Sequence, residues 1–456
     1  MKNKQIDKKW IFLMIAVAVA TLLLAYALST ADLDAMLNGT VRPQHIRAII
    51  VFMIAIPILL IALIVVLLLM KPEPKTVVTQ LPFAPAPQEK KDEPEETGDR
   101  FYMLSTIDEN EKSYMRASYD KGITLKELCD NFRNYAASNH GLYYDIEDIR
   151  RFIAGMSVSH ILILQGMSGT GKTSLAYAFG SFIDNSSTVI PVQPMWKERT
   201  DLIGYYNEFT KKFNETLLLE KMYEANYSED IYISVLDEMN IARVEYYFAE
   251  FLSLLELPNP DDRYLEVVPD KWPTDPKNLI EGRIKLPPNM WFIGTANNDD
   301  STFAISDKVY DRAMVLNLDM RSERFAAPLT SKMHISTKQF NDLVEEAIKE
   351  YDISRRNRAR LEQLDKYLVE HFHITFGNRI MKQIRTYIPV YISCGGDELD
   401  ALDDILSKKV MRKLETQNPI YLRNSAEGLI TFLDELFGQD KMTLCKEFIH
   451  RLQRNA

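Results

Sequence analysis

A glycine-rich loop followed by a lysine and a threonine is the stretch of this sequence best suited to chemistry. Residues 166–173, GMSGTGKT, match the pattern G-x-x-x-x-G-K-[ST]. In that pattern backbone N–H groups close around phosphate oxygens, the lysine reaches the β and γ phosphates, and the hydroxyl binds Mg²⁺. We therefore predict a nucleoside triphosphate on Gly166, Met167, Ser168, Gly169, Thr170, Gly171, Lys172, Thr173 and Ser174, with Thr173 as a Mg²⁺ ligand.

Two adjacent acids end a second apolar run, IYISVL, at Asp237 and Glu238. We predict that Asp237 holds Mg²⁺ through water and that Glu238 polarises the attacking water. A third run, MWFIGTANN, reaches the polar Asn297, which we predict orients that water. Arg312 precedes a fourth apolar run, and an arginine there stabilises charge on a transferring phosphoryl group, in its own chain or from a neighbouring subunit. A structural salt bridge is the alternative role for Arg312.

The local pattern around the loop is that of a strand followed by a helix. HILILQG (160–166) is a short apolar run ending in glycine, which favours a buried strand. TSLAYAFGSFI then continues as a helix whose N-terminus faces the anion. The glycine-rich loop thus lies where a phosphate-binding loop must lie.

Composition limits the classes of function. The chain has 456 residues and a formal net charge of −10, which disfavours a broad nucleic-acid surface of its own, so we expect nucleic acid only through a partner. Its three cysteines are far apart and contain no CxxC pair, which predicts reduced thiols and no zinc site.

Two apolar stretches near the N-terminus predict a transmembrane hairpin, residues 1–70. Residues 10–28 contain no charged side chain, and residues 48–70 contain no polar side chain. About 20 apolar residues span a bilayer as a helix. A signal peptide is the alternative for the first stretch. Lysines before the first stretch and after the second predict a multi-pass protein of the cell membrane, with both termini cytoplasmic.

Residues 71–104 are rich in Pro, Glu and Lys, which predicts a disordered linker. The nucleotide-binding core is expected over 105–329, preceded by leading helices, and a helical lid with C-terminal helices over 330–456.

These motifs, in this order, resemble an AAA+ ATPase. VQPMWKERTDLIGYYN (192–207) and LDEMNIARVEYYFAEFLSLLE (236–256) are similar to segments of the McrB-like branch, related to the dynein and MoxR groups. The second segment resembles that branch's acidic strand followed by a long helix. A departure is that Ala296 and Ser301 replace a methionine and an arginine common in the branch.

The resemblance implies an α/β fold: a RecA-like αβα core with a five-stranded parallel sheet and a helical lid. It also implies a ring, commonly a hexamer, with Mg²⁺ and ATP, or GTP, at subunit interfaces. Arg312 then acts on the neighbour's nucleotide, and Arg379 is the lid arginine that meets the γ phosphate; a salt bridge is its alternative role. We expect hydrolysis to drive an unidentified effector or substrate protein, with a membrane chaperone of MoxR type or a nucleotide-gated scaffold as alternatives.

Residues 257–289 look like a proline-rich insertion, a loop or hairpin facing the pore of a ring. Trp196, Tyr205 and Tyr206 are suited either to gripping a threaded polymer or to packing. His371 and His373 have no nearby third ligand in the sequence, so they predict no metal site.

Overall fold

Five parallel strands form the centre of the computed structural model, which describes residues 98–297, 302–319 and 322–455. The strands are β1 (Ile161–Gly166), β2 (Thr188–Pro191), β5 (Tyr232–Asp237), β9 (Met290–Asn297) and β10 (Met314–Asn317). Their order across the sheet is β10–β1–β9–β5–β2. The runs predicted as strands from their apolar residues are β1, β5, β9 and β10, and the five-stranded parallel sheet of an α/β P-loop core is confirmed.

Helices cover both faces of the sheet, because side chains that alternate along each strand are apolar on both sides. On β1, Leu162 and Leu164 pack into one cluster, and Ile161 and Ile163 into the other. The helices before the C-terminal region are α1 (Met103–Glu109), α2 (Leu125–His140), α3 (Ile146–Val158), α4 (Lys172–Phe182), α5 (Thr200–Ile203), α6 (Leu217–Ala225), α7 (Val244–Tyr247), α8 (Ala249–Leu254) and α9 (Asp307–Tyr310).

Six helices follow in the part of the C-terminal region that the structure describes. They are α10 (Thr337–Glu350), α11 (Arg355–Phe372), α12 (Gly377–Ser393), α13 (Glu398–Lys409), α14 (Pro419–Phe437) and α15 (Thr443–Asn455). Their apolar faces join the same cluster as Leu162 and Leu164. This region therefore packs on the core through a shared hydrophobic interior.

Within the described ranges, two small antiparallel sheets lie outside the central sheet. One is the hairpin β3 (Gly204–Asn207) and β4 (Lys212–Glu215). The other has the order β6–β8–β7, with β6 (Tyr264–Glu266), β7 (Leu279–Ile280) and β8 (Arg283–Lys285). The insertion expected over 257–289 is thus a three-stranded sheet.

The first described residues are anchored in the folded body, although the prediction placed them in the linker. Arg100 is buried; its Nε and Nη2 each donate to Asp275 at 2.7 Å, and its Nη1 donates to Asp270 at 3.0 Å. The guanidinium also lies 4.4 Å from the ring centre of Trp272. Residues 98–104 are therefore part of the fold, whereas residues 71–97 lie outside the described residues.

The long helix expected after the acidic strand is not continuous. The chain forms a 3₁₀ turn over Met239–Ile241 and then the short helices α7 and α8, separated at Phe248. The Phe248 ring stacks on Phe251 at 4.9 Å and packs edge-on against Phe292 at 5.3 Å. Burial of this aromatic cluster explains the interruption better than helix propensity does.

The prediction of a multi-pass membrane protein is wrong, because no helix in the described residues is long and apolar enough to cross a bilayer. The longest of these helices, α11 and α14, carry charged side chains along their length, as at Arg423 and Glu427 in α14. The hairpin segments 10–28 and 48–70 lie outside the described residues.

Candidate nucleotide-binding site

The glycine-rich loop joins β1 to α4 and is held in a conformation that requires glycine. Gly166 has φ 146°, and a Cβ there would lie 2.2 Å from the Leu318 carbonyl oxygen. Gly171 has φ 93° and accepts a 2.9 Å hydrogen bond from the hydroxyl of the buried Tyr144. Burial raises the pKa of Tyr144, so this hydroxyl keeps its proton and remains a donor. The loop is thus fixed at both ends.

Lys172 begins α4 and lies along the inside of the loop. Its side chain is buried, and Nζ donates to the carbonyl oxygens of Gly166 at 3.0 Å and Met167 at 2.7 Å. A buried ammonium beside backbone N–H groups at a helix N-terminus favours an anion. The predicted phosphate-binding residues are therefore together, in an arrangement suited to phosphate.

Oxygen ligands for Mg²⁺ converge beside the loop. Thr173 Oγ1 donates to Asp237 Oδ1 at 2.7 Å, and Thr295 Oγ1 donates to the same oxygen at 2.8 Å. A hydroxyl and a carboxylate at the edge of a triphosphate site are the ligands that Mg²⁺ accepts in such proteins. The side chains of Thr173 and Asp237 therefore fit Mg²⁺, and their role as its ligands stays a prediction.

Glu238 is turned out of the strand that ends at Asp237. Its backbone is left-handed, with φ 54°, and its N–H donates to Thr295 Oγ1 at 2.8 Å. For a residue other than glycine this conformation costs about 1–3 kcal/mol, and it persists only where surrounding contacts enforce it. The result is an exposed side chain directly after Asp237.

Asn297 lies in register with the first residue of the loop. It is the last residue of β9 and pairs with Gly166 of the adjacent strand β1. Neighbouring strands are about 4.8 Å apart, so Asn297 is close to the expected phosphates. Asn240 Nδ2 donates to the Asn297 carbonyl oxygen at 2.9 Å and to Thr302 Oγ1 at 3.0 Å. This amide ties the turn after Glu238 to the end of β9.

Sequence reasoning missed Thr295, Asn240 and Tyr144 as parts of this site. Asn240 could have been predicted from the sequence, since it belongs to the Asp-Glu-Met-Asn segment that carried the resemblance. Thr295 and Tyr144 contact Asp237 and Gly171 across 58 and 27 residues of sequence. No local sequence pattern predicts contacts between residues so far apart in the chain.

Arg312 lies at the amino ends of the strands, whereas the glycine-rich loop follows the carboxyl end of β1. Its carbonyl oxygen accepts a 2.7 Å hydrogen bond from Ser159, just before β1, and Met314 pairs with Leu162 at the start of β1. At 3.3 Å per residue, the length of β1 separates Arg312 from Gly166 by about 20 Å. Arg312 therefore cannot reach a phosphate on the loop of its own chain.

Arg379, at the start of α12, lies beside Arg312. Both arginines pair with the carboxylate of Glu256. The structure thus brings the two predicted arginines together, away from the glycine-rich loop, whereas Asp237 and Asn297 lie at the strand ends beside that loop.

The backbone around Arg312 is held by a lysine of the C-terminal region. Lys409 of α13 is buried, and its Nζ donates to the carbonyl oxygens of Tyr310 at 2.8 Å, Asp311 at 3.4 Å and Ala313 at 2.5 Å. Lys409 therefore links the C-terminal helices to the turn that carries Arg312.

Burial lowers the pKa of Lys409 to about 7, against about 10.4 in an unfolded chain. Between these values the unfolded chain binds a proton that the folded chain does not. We therefore expect the free energy of unfolding of the wild type to rise, relative to Lys409→Met, as pH increases from 7 to 9. Chemical denaturation at several pH values measures it, with Lys413→Met as the control for a lost lysine. Parallel pH profiles for wild type and Lys409→Met would contradict this.

Comparison with known families agrees with this geometry. Residues 161–313 match the family described as AAA domain (dynein-related subfamily). These residues form an AAA+ domain. Such a domain is in general a P-loop nucleoside triphosphatase that binds nucleotide and Mg²⁺. Residues 330–456 match a second family, described as a domain of unknown function, DUF8727.

Comparison with solved structures gives a distant likeness. A full-length MCM homologue from Methanopyrus kandleri is 10% identical, with a TM-score of 0.34 over 59% of this chain and 55% of that chain. The chain thus spans about half the length of this relative, and the likeness is too low to inform function. No curated protein sequence matches the chain.

Proposed function

We propose that the chain is a ring-forming AAA+ nucleoside triphosphatase. In it Arg312 and Arg379 of one subunit, which pair with one carboxylate, complete the site of the next subunit. Hydrolysis would move the lid against the core and thereby remodel or drive a partner protein or nucleoprotein. A hexamer is the expected ring.

The observation that carries this proposal is the position of Arg312. At the carboxyl ends of the strands lie the loop, Asp237, Glu238 and Asn297. Arg312 lies about 20 Å away, at the amino ends of the strands. An arginine that stabilises a transferring phosphoryl group can be supplied by a neighbouring subunit. Each chain thus offers two halves of a site that only a second chain can join.

The half of the proposed site that contains the glycine-rich loop is suited to hydrolysis. Bound Mg²⁺ would neutralise charge on the triphosphate, and Thr173 and Asp237 are its proposed ligands. Glu238 carries an exposed carboxylate at this place, suited to accept a proton from water. Asn297 offers an amide from the adjacent strand, suited to orient that water.

The McrB-like relationship is proposed on residues 192–207 and 236–256, which resemble that branch. ATP is the expected nucleotide, with GTP as the alternative. The net charge of −10 favours a protein partner, with nucleic acid reached only through it. A MoxR-like chaperone activity is compatible with the same site.

The test is hydrolysis of ATP and GTP by the full chain at protein concentrations that span assembly. We expect turnover per chain to rise steeply with concentration, because the active site forms between subunits. Lys172→Ala, which removes the ammonium from the loop, is the control for contaminating activity. Tight nucleotide binding without turnover at any concentration would overturn the proposal and favour a nucleotide-gated scaffold.

A further inference from the structure

One carboxylate holds both arginines that the proposed function assigns to the neighbour's nucleotide. Glu256 follows α8, Arg312 follows α9, and Arg379 begins the lid helix α12. Arg312 Nη2 pairs with Glu256 Oε2, and Arg379 Nη2 pairs with Glu256 Oε1. Three separate elements therefore meet at a single side chain.

The pairing leaves donors on both guanidinium groups. A guanidinium carries five N–H donors in a fixed plane. Glu256 takes one nitrogen of each arginine, and Arg312 Nη1 donates to the Lys308 carbonyl oxygen at 2.7 Å. The two cations share one negative charge, so the cluster has a net charge of +1. Such a cluster still attracts an anion while its geometry is set by the carboxylate.

The cluster remains open to a neighbouring molecule. The side chains of Glu256, Arg312 and Arg379 are 29%, 17% and 51% exposed. Two further contacts brace it: Gln383 of α12 donates to the Asp311 carbonyl oxygen at 3.3 Å, and Lys409 holds the same turn. The arginines thus have restricted positions and free access.

We propose that Glu256 is a positioning residue that sets Arg312 and Arg379 side by side to receive one triphosphate from the neighbouring subunit. This inference rests on the proposed function. Without Glu256 the two guanidiniums repel each other at short range and lose their common anchor. Glu256 acts through the arginines and does not itself contact nucleotide.

Glu256→Gln in the full chain tests this. We expect kcat to fall about tenfold with KM little changed, since the loss is one of orientation at the transferring group. Glu250→Gln is the matched control, because Glu250 lies on α8, the helix that Glu256 follows, and pairs with Arg199 at 2.9 Å with similar exposure. That control is expected to hydrolyse at the wild-type rate.

Two further measurements separate positioning from a general structural role. In an Arg312→Ala background, Glu256→Gln is expected to change kcat less than twofold, because the pair of arginines that Glu256 sets side by side is already broken. Mixing Glu256→Gln with Lys172→Ala is expected to restore hydrolysis, since the Lys172→Ala subunit offers intact arginines to the intact loop of its partner. Mixing Glu238→Gln with Lys172→Ala is expected to restore nothing.

The outcomes distinguish the two proposals. Wild-type kcat in Glu256→Gln, an additive loss with Arg312→Ala, or failure of Lys172→Ala to restore activity would each overturn the role of Glu256. In those cases wild-type hydrolysis and its loss in Arg312→Ala still support the proposed function. Absence of hydrolysis by the wild type would overturn both.

Discussion

Replacing Glu238 by glutamine is expected to leave nucleotide binding intact and to lower kcat by about 10²–10⁴-fold. Glutamine has nearly the same shape, so the left-handed backbone and the bond from the Glu238 N–H to Thr295 persist. It cannot accept a proton from the attacking water. The loss should therefore appear in the chemical step and not in affinity.

Binding of a fluorescent nucleotide analogue and steady-state hydrolysis, measured on the same preparation, check this. The matched control is Glu229→Gln, which changes an exposed acid that precedes the first residue of β5. This variant should behave as wild type. Hydrolysis by Glu238→Gln at more than a tenth of the wild-type rate would show that another group activates the water.

Arg312→Ala is expected to lower kcat by about 10³-fold or more, the range found when such an arginine is removed. The residue is about 20 Å from its own loop, so the variant should still bind nucleotide. Mixing it with Lys172→Ala should recover activity at the interfaces where an intact loop meets an intact arginine, about a quarter of those in a random ring.

The control for loss of an arginine is Arg358→Ala, which removes an exposed side chain paired with Asp352 in the lid region. Recovery on mixing is the decisive readout, because a misfolded Arg312→Ala chain would not be rescued by any partner. An Arg312→Ala chain that is inactive alone and stays inactive after mixing would mean that Arg312 is a structural ion pair.

The parts of this molecule that could be predicted from sequence are those encoded locally. The glycine-rich loop, β1, β5 and β9 are each a run of apolar residues followed by the side chains that act, so spacing alone places them. The parallel sheet then brings Gly166, Asp237 and Asn297 to one edge, as their positions at strand ends predict.

The parts that could not be predicted depend on contacts between distant segments. Glu256 meets Arg312 across 56 residues and Arg379 across 123 residues, and no pattern in any of the three segments indicates the others. The same holds for the three-stranded sheet in the 257–289 insertion, whose strands are only two or three residues long. Tertiary packing decides elements of that size, and intrinsic propensity does not.

The separation of the loop and Arg312 to opposite ends of the strands gives the proposed ring contacts of one kind. In that ring the Arg312 surface of each subunit contacts the loop surface of one neighbour, so every contact is heterologous and runs head to tail. Such contacts either close on themselves or continue as a filament. Every open assembly then has a terminal subunit whose nucleotide is not contacted by a neighbour's arginines. Closure of the ring completes that last site in a single step. The last subunit to join would thus complete two sites at once.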